Sequence, residues 1–254
     1  MKPVLRVDDM RAVDADALAL VSEETLVERA GTAVATWAIR ILGGTYGRHV
    51  VVVAGKGNNG ADGRVAAARL RARGAQVTVV EASDAPDRIG PAGAVDLVID
   101  AAYGTGFRGT YRAPAVPAGV PVLAVDIPSG VNGDTGEACG EPLRADLTVT
   151  FAALKTGLVQ GAGLLLAGRV EVVDIGLDVS RARIWVVEDC DVAAWLAPGK
   201  PKAPSAMRPT SSVNPCTRRP RNWTAMSSTA WGGSPSSVAL PALRWRLPGC
   251  SANR

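Results

Sequence analysis

Val125-Asp126-Ile127-Pro128-Ser129-Gly130-Val131-Asn132 closes an apolar run, Val120 to Val125, with a turn fixed by Pro and Gly. The run predicts a buried strand, so the turn falls where a parallel strand ends, the edge at which open α/β sheets bind ligands. Asp126 and Ser129 put a carboxylate and a hydroxyl into that turn in set geometry. Two turns of the same kind precede it: Gly55-Lys56-Gly57-Asn58-Asn59-Gly60-Ala61-Asp62-Gly63, and Asp100-Ala101-Ala102-Tyr103-Gly104-Thr105-Gly106. Three polar, Gly-rich strand ends on one sheet edge predict a site.

Outward from this turn the chain repeats strand, Gly-rich turn and helix. Val50–Ala54 is a continuous β-branched run, as in strands buried on both faces. Ala61–Arg73 reads as a helix ended by Gly74, and strands are predicted at Val77–Glu81, Asp96–Ala101, Val120–Val125, Leu147–Phe151, Val170–Asp174 and Ile184–Val187. The crossovers after Glu81 and Tyr103 are short and rich in Pro and Gly, and read as loops. Two helices precede the sheet. Asp8 and Asp9 suit the start of one, with Met10, Val13, Ala17 and Leu18 on one face. Ser22 caps the other, in which Leu26, Ala30, Ala33, Val34, Trp37 and Ile41 recur at three and four, and Gly43-Gly44 stops it. The expected fold is α/β: a doubly wound, mostly parallel, Rossmann-like sheet with two N-terminal helices.

A hydrophobic content of 47% over 254 residues suffices for a sizeable core, filled by Val, Ala and Leu because aromatics make up only 4%. No stretch has the ~18 consecutive apolar residues of a membrane helix. The amino end meets Asp8 and Asp9 too early for a signal peptide. A cytoplasmic protein with no membrane partner is expected. Cys139, Cys190, Cys216 and Cys250 form no CxxC pair, and with His49 the single histidine, zinc chemistry is not expected. His49, opening a strand, reads as a structural ring.

The net charge of +4 hides an asymmetry: all 24 acidic residues lie in residues 1–191 with 19 of the 28 bases, leaving that part near −5. Two regions follow: a domain over 1–197 and a basic tail over 198–254, rich in Pro, Ser and Arg and free of Asp and Glu. The tail reads as disordered or non-native. Out-of-frame translation of a GC-rich gene accounts for its composition, including Trp223, Trp231 and Trp245. A basic tail with interleaved Trp also admits nucleic-acid binding, which is not the expectation here.

Gly55-Lys56-Gly57-Asn58-Asn59-Gly60 matches a GxGxxG turn between strand and helix, and Glu81 falls where a ribose-binding acid belongs. This supports a nicotinamide-dependent oxidoreductase as an alternative. Against it, Asp62 in the first helical turn would repel a pyrophosphate, and Asn58 and Asn59 put amides where such loops leave bare backbone. Each residue also has a plainer role: Asp126 as a turn cap, Lys155 as a surface lysine or a phosphate contact, Tyr103 as a pocket wall or edge aromatic.

Together these motifs resemble the NAD(P)H-hydrate epimerase family, the YjeF N-terminal domain, whose signature is GxGNNGGDG, D-A-x-x-G-T-G, V-D-I-P-S-G and T-V-T-F-x-x-x-K-x-G. The last appears as Thr148-Val149-Thr150-Phe151-Ala152-Ala153-Leu154-Lys155-Thr156-Gly157, and the resemblance runs from about Val7 to Leu196. Ala61 replaces a family Gly and Asn132 a usual Asp. The resemblance implies an isomerase interconverting the S and R epimers of hydrated NADH or NADPH. Asn58, Asn59, Gly60, Ala61 and Asp62, with Gly104, Thr105, Gly106, Phe107, Arg108, Gly109 and Thr110, would line that substrate. Asp126 would contact the reacting ring, as acid and then base. Asn59, Asp100 and Ser129 would be ligands to a potassium ion, consistent with hard oxygen donors. Non-catalytic YjeF-like binding and dimerisation modules, and a homodimer, are further implications. The tail lacks the Gly-rich motifs of the dehydratase to which bacterial relatives are often fused, so an epimerase alone, from a truncated fusion, is expected.

Overall fold

A computed structural model describes residues 1–91 and 93–196; the expectations for the tail lie outside the described residues. In chain order the elements are β1 (Lys2–Leu5), α1 (Val7–Leu18), α2 (Glu23–Leu42), β2 (His49–Ala54), α3 (Asn58–Arg71), β3 (Gln76–Glu81), β4 (Leu97–Ala101), β5 (Tyr111–Arg112), β6 (Val122–Val125), β7 (Gly140–Glu141), β8 (Leu147–Phe151), β9 (Leu154–Lys155), α4 (Gly161–Leu166), β10 (Arg169–Val173), β11 (Ile184–Val186) and α5 (Asp189–Leu196).

The central sheet has six parallel strands in the order β10-β8-β6-β4-β2-β3. From β2 the chain steps outward to β3, then returns to β4 on the other side of β2. That reversal opens a crevice at the carboxyl ends of β2 and β4, the usual ligand position in such sheets. The expected α/β fold is therefore present.

The β-branched runs become strands because both faces are covered. Val50, Val52, Leu97, Ile99, Leu123 and Val149 pack in one cluster with Val13 of α1, Val34 and Ala38 of α2, and Ala66 and Leu70 of α3. Each large side chain so buried stabilises the fold by about 1.5–3 kcal/mol. The alternate residues, Val51, Val53, Val98 and Val122, meet Ile89, Val95, Tyr111 and Ala145. Irregular chain supplies much of that second cover, as the short crossovers predict: among the described residues β3 to β4 contains one 3-10 turn over Ala82–Asp84, and β4 to β6 only the two-residue β5.

The helix ends follow local chemistry. Ser22 accepts a hydrogen bond from Thr25 N at 3.3 Å, and α2 stops at Gly43 with φ 66°. At α1 the cap is remote: Val7 N donates to Asp134 Oδ1 at 2.8 Å. α3 starts at Asn58, earlier than the Ala61 expected, because Gly57 already has the extended cap conformation. Two glycines set how closely α3 is packed. A Cβ on Gly63 would lie 2.5 Å from Ala101 Cβ, and one on Gly31 of α2 would lie 2.5 Å from Val65 Cβ.

A second, three-stranded sheet has the order β11-β1-β9. β1, not foreseen from the sequence, pairs in parallel with β9, with Leu5 opposite Lys155. Thr156 Oγ1 also donates to Leu5 O at 3.2 Å. The amino-terminal strand thus braces the segment carrying Lys155.

Candidate active site

β6 and β8 end in the same way. Asp126 has φ 67° and Ala152 φ 62°, left-handed conformations uncommon outside glycine. In each turn the next residue bonds back two positions: Ile127 N to Val125 O at 2.8 Å and Ala153 N to Phe151 O at 2.7 Å. Each turning residue is also tied to the neighbouring strand, Asp126 N to Val149 O at 2.7 Å and Ala152 N to Val173 O at 2.8 Å. Such conformations persist where the surroundings over-determine them, and they cluster at functional sites.

The two turns bring Asp126 and Lys155 together. Lys155 Nζ lies 2.6 Å from Asp126 Oδ1, 2.9 Å from Thr150 Oγ1 and 3.0 Å from Phe151 O, so its three donors are all used. Thr150 Oγ1 in turn donates to Asp126 Oδ1 at 3.1 Å. Lys155 is 2% exposed. Sequence reasoning left it as a surface lysine or a phosphate contact. It is not on the surface: β1 and β9 hold it beneath the sheet edge, where it forms part of the cavity lining. Asp126 Oδ2 points the other way: a Cβ on Gly104 would lie 3.5 Å from it and 3.5 Å from Asn59 Oδ1. The missing side chain of Gly104 leaves space between these two groups.

That space belongs to a cavity of about 530 Å³. Asn58, Asn59, Asp62, Gly104, Thr105, Gly106, Phe107 and Asp126 line it, as the resemblance implies. Five of the implied contacts do not. Gly60 is packed against the Gly55 backbone, Ala61 is half-buried on α3, and Arg108, Gly109 and Thr110 are not among the lining residues, the Arg108 guanidinium being turned back to Phe107 O at 2.9 Å. Sequence reasoning missed the opposite wall, made by Met10, Arg11, Asp14 and Leu18 of α1 and by Glu23 and Leu26 of α2. The signal available was Asp14 lying four residues from both Met10 and Leu18, on the apolar face of an amphipathic helix.

The acidic groups differ in their surroundings. Asp62 falls in the second turn of α3, not the first as expected, because the helix begins at Asn58. It is 7% exposed, and no hydrogen bond to its carboxyl is present among the described residues. Burial, reinforced by the Asp126 charge and opposed by Lys155, pushes its pKa up to about 8. Burial also raises Asp14, with Lys155 opposing.

Asp100 and Ser129 meet behind the cavity. Ser129 Oγ donates to Asp100 Oδ1 at 2.6 Å, Ser129 N to Asp100 Oδ2 at 2.9 Å, and Tyr103 N to Ser129 Oγ at 2.8 Å. Asp100 is 1% exposed with no ion-pair partner among the described residues, and burial raises its pKa. Asn59 Nδ2 is buried without an acceptor. Rotating that amide would put an oxygen in its place.

Glu81, placed by its sequence position where a ribose-binding acid belongs, is held by Arg64 and does not line the cavity. Its carboxylate receives both bonds of Arg64 Nη2, at 2.6 and 2.7 Å, while Arg64 Nη1 donates to Gly55 O at 2.7 Å. The pair clamps the Gly-rich loop. His49 is structural, its ring nitrogens 2.6 Å from Ala94 O and 3.0 Å from Thr78 Oγ1. Tyr103 is a pocket wall, with ring centroids 4.5 Å from Phe107 and 5.1 Å from Tyr111.

A parallel sheet with an acid-lined cavity at its switch point defines a small-molecule-binding α/β domain. The chain belongs to the YjeF-related protein N-terminus family, whose pattern matches residues 23–94 and 80–157. It is 38% identical over 228 residues to the bifunctional NAD(P)H-hydrate repair enzyme Nnr of Mycobacterium tuberculosis, an alignment covering 78% of this chain and 47% of that protein. It is 39% identical over 214 residues to the NAD(P)H-hydrate epimerase of Clavibacter michiganensis, covering 68% and 90%. The chain thus spans about half the length of the bifunctional relatives it matches. The crystal structure of yeast YNL200c shares the fold, with a TM-score of 0.52 at 22% identity over 61% of this chain and 83% of that one. No described helix is long and apolar enough to cross a membrane.

Proposed function

We propose that this domain epimerises the hydrates of NADH and NADPH in nicotinamide nucleotide repair, as the name of the Clavibacter relative states for that protein. The observation that carries the reading is the Asp126–Lys155 pair at the floor of a cavity otherwise rich in carboxyl groups. A dihydronicotinamide hydrated at C6 bears a hydroxyl beside the ring nitrogen. Inversion requires loss of that hydroxyl as water, an iminium stabilised by the nitrogen, and addition of water to the other face. Acidic walls favour the cationic intermediate, and a positioned carboxyl group contributes about 10²–10⁴-fold by proton transfer. Asp126, with Oδ1 held by Lys155 and Oδ2 open toward Gly104, is the group on which we centre that work. Incubating one purified hydrate epimer with the protein and resolving the products by chiral chromatography tests this. Interconversion above the spontaneous rate is expected, and its absence would end the reading.

A potassium ion fits the residues behind the cavity. Among the described residues Asp100 is a buried carboxyl group without a countercharge, Ser129 adds a hydroxyl, and Asn59 has a buried amide lacking a partner. A bound cation would supply charge compensation for Asp100 and order the loops carrying these residues. We expect potassium to raise the melting temperature of the wild type and to leave that of Asp100→Asn unchanged.

The oxidoreductase alternative loses its main support, because Arg64 occupies Glu81. Dehydratase activity is not part of the proposal, nor is nucleic-acid binding. A cytoplasmic location and a homodimer go with the epimerase reading, the latter testable by light scattering.

A further inference from the structure

We infer that Asp62 is the proton donor of this reaction, so that two carboxyl groups on different walls of the cavity divide the acid and base work; the assignment rests on the epimerase reading above. Asp62 projects from α3 into the cavity, whereas Asp126 stands at the end of β6. Both carboxyl groups line the same cavity. Their partners differ completely. Asp126 is fixed by Lys155 and Thr150. Asp62 has no hydrogen bond among the described residues, although it is 7% exposed. A purely structural carboxyl group at this depth would be expected to have a partner, since burying one without a hydrogen bond costs stability.

The charged groups facing Asp62 across the cavity are Asp126 and Lys155 at the sheet edge, Asp14 and Arg11 on α1, Glu23 on α2 and Lys56 before α3. Of these, Asp126 and Lys155 act on it with opposite signs, and burial outweighs both. Asp62 with a pKa of about 8 keeps its proton at neutral pH, beside a carboxylate held in an ion pair. Surroundings that set two carboxyl groups apart in this way assign one as acid and the other as base.

The steps balance. The Asp62 proton passes to the C6 hydroxyl, and the C6–O bond breaks with its electron pair leaving on water. The lone pair of the ring nitrogen forms the C=N bond of the iminium. Water then adds to the opposite face, the C=N pair returns to nitrogen, and the Asp126 carboxylate takes the released proton. One turnover moves a proton from Asp62 to Asp126, and conversion of the other epimer moves it back. Nothing is oxidised or reduced.

The test compares the wild type with Asp62→Asn and Asp62→Glu on one purified epimer of NADH hydrate, with pH profiles. Asp62→Asn is expected to lose about 10²–10⁴-fold in kcat with KM little changed, and Asp62→Glu to recover part of it. The wild-type rate should fall as pH rises through about 8, and the residual rate of Asp62→Asn should lack that limb. An active wild type with undiminished turnover in Asp62→Asn would overturn this assignment alone. An inactive wild type would overturn the epimerase reading and the assignment with it. Carboxyl-carbon NMR of the substrate-free wild type adds a readout that needs neither turnover nor a folded variant. A midpoint near 8 for Asp62 is expected, and one in the ordinary carboxylate range would refute the donor role.

Discussion

Lys155 and Asp126 form a 2.6 Å ion pair whose lysine is almost wholly removed from solvent and whose aspartate has a left-handed backbone. The lysine spends all three donors inside the fold, leaving none to reach a ligand. Its effect on a bound molecule therefore passes through Asp126. Replacing Lys155 by Met should remove about 3–5 kcal/mol of stability, because the remaining carboxylate is left uncompensated. Urea denaturation would show this as a lower midpoint, and an unchanged midpoint would mean that the pair contributes little.

Asp62→Asn should stabilise the protein at neutral pH, by an amount that depends on pH. The folded state keeps the Asp62 proton up to about pH 8, whereas the unfolded chain releases it near 3.8. Between those values the native state binds the extra proton, so wild-type stability falls as pH rises. The gap between variant and wild type should therefore open from about pH 4, widen to about pH 8 and then level off. Melting curves across that range check it, and a gap that does not change with pH would count against a buried, protonated Asp62.

Glu81→Gln should cost at most about 1 kcal/mol, since the Arg64–Glu81 pair is some two-fifths exposed and screened. Affinity for the NADH hydrate should not move. A large rise in KM for that substrate would restore Glu81 as a ribose contact.

Gly63→Ala should destabilise by about 1–3 kcal/mol through overpacking, as the added methyl meets Ala101 Cβ at 2.5 Å. Thermal denaturation measures it directly. The Gly60 backbone, pressed on Gly55, should tolerate a side chain no better.

The sheet was legible because its central strands are short apolar runs rich in Val and Leu, fully buried from Val50 to Ala54, Leu97 to Ala101 and Val122 to Val125, and the strand ends announced the cavity through Gly, Asn and Asp. What escaped was set by tertiary pairing. β1 is four residues with no periodicity of its own, and its strand character comes from β9 and β11. Lys155 looked free because a sequence does not show that the chain folds back after Ala152. Glu81 stood at the expected ribose position, yet Arg64, in the second turn of α3, pairs with it. Asp126 and Asp62 were both singled out, but only their burial and their partners separate them.

The pairing of Leu5 with Lys155 links the first residues of the domain to its buried lysine. Trimming that leading strand, or threading a fusion partner through it, would open a path for solvent to the ammonium group and loosen the carboxylate above it. Expression formats that look innocuous on paper would then be read, wrongly, as evidence of a weak catalyst.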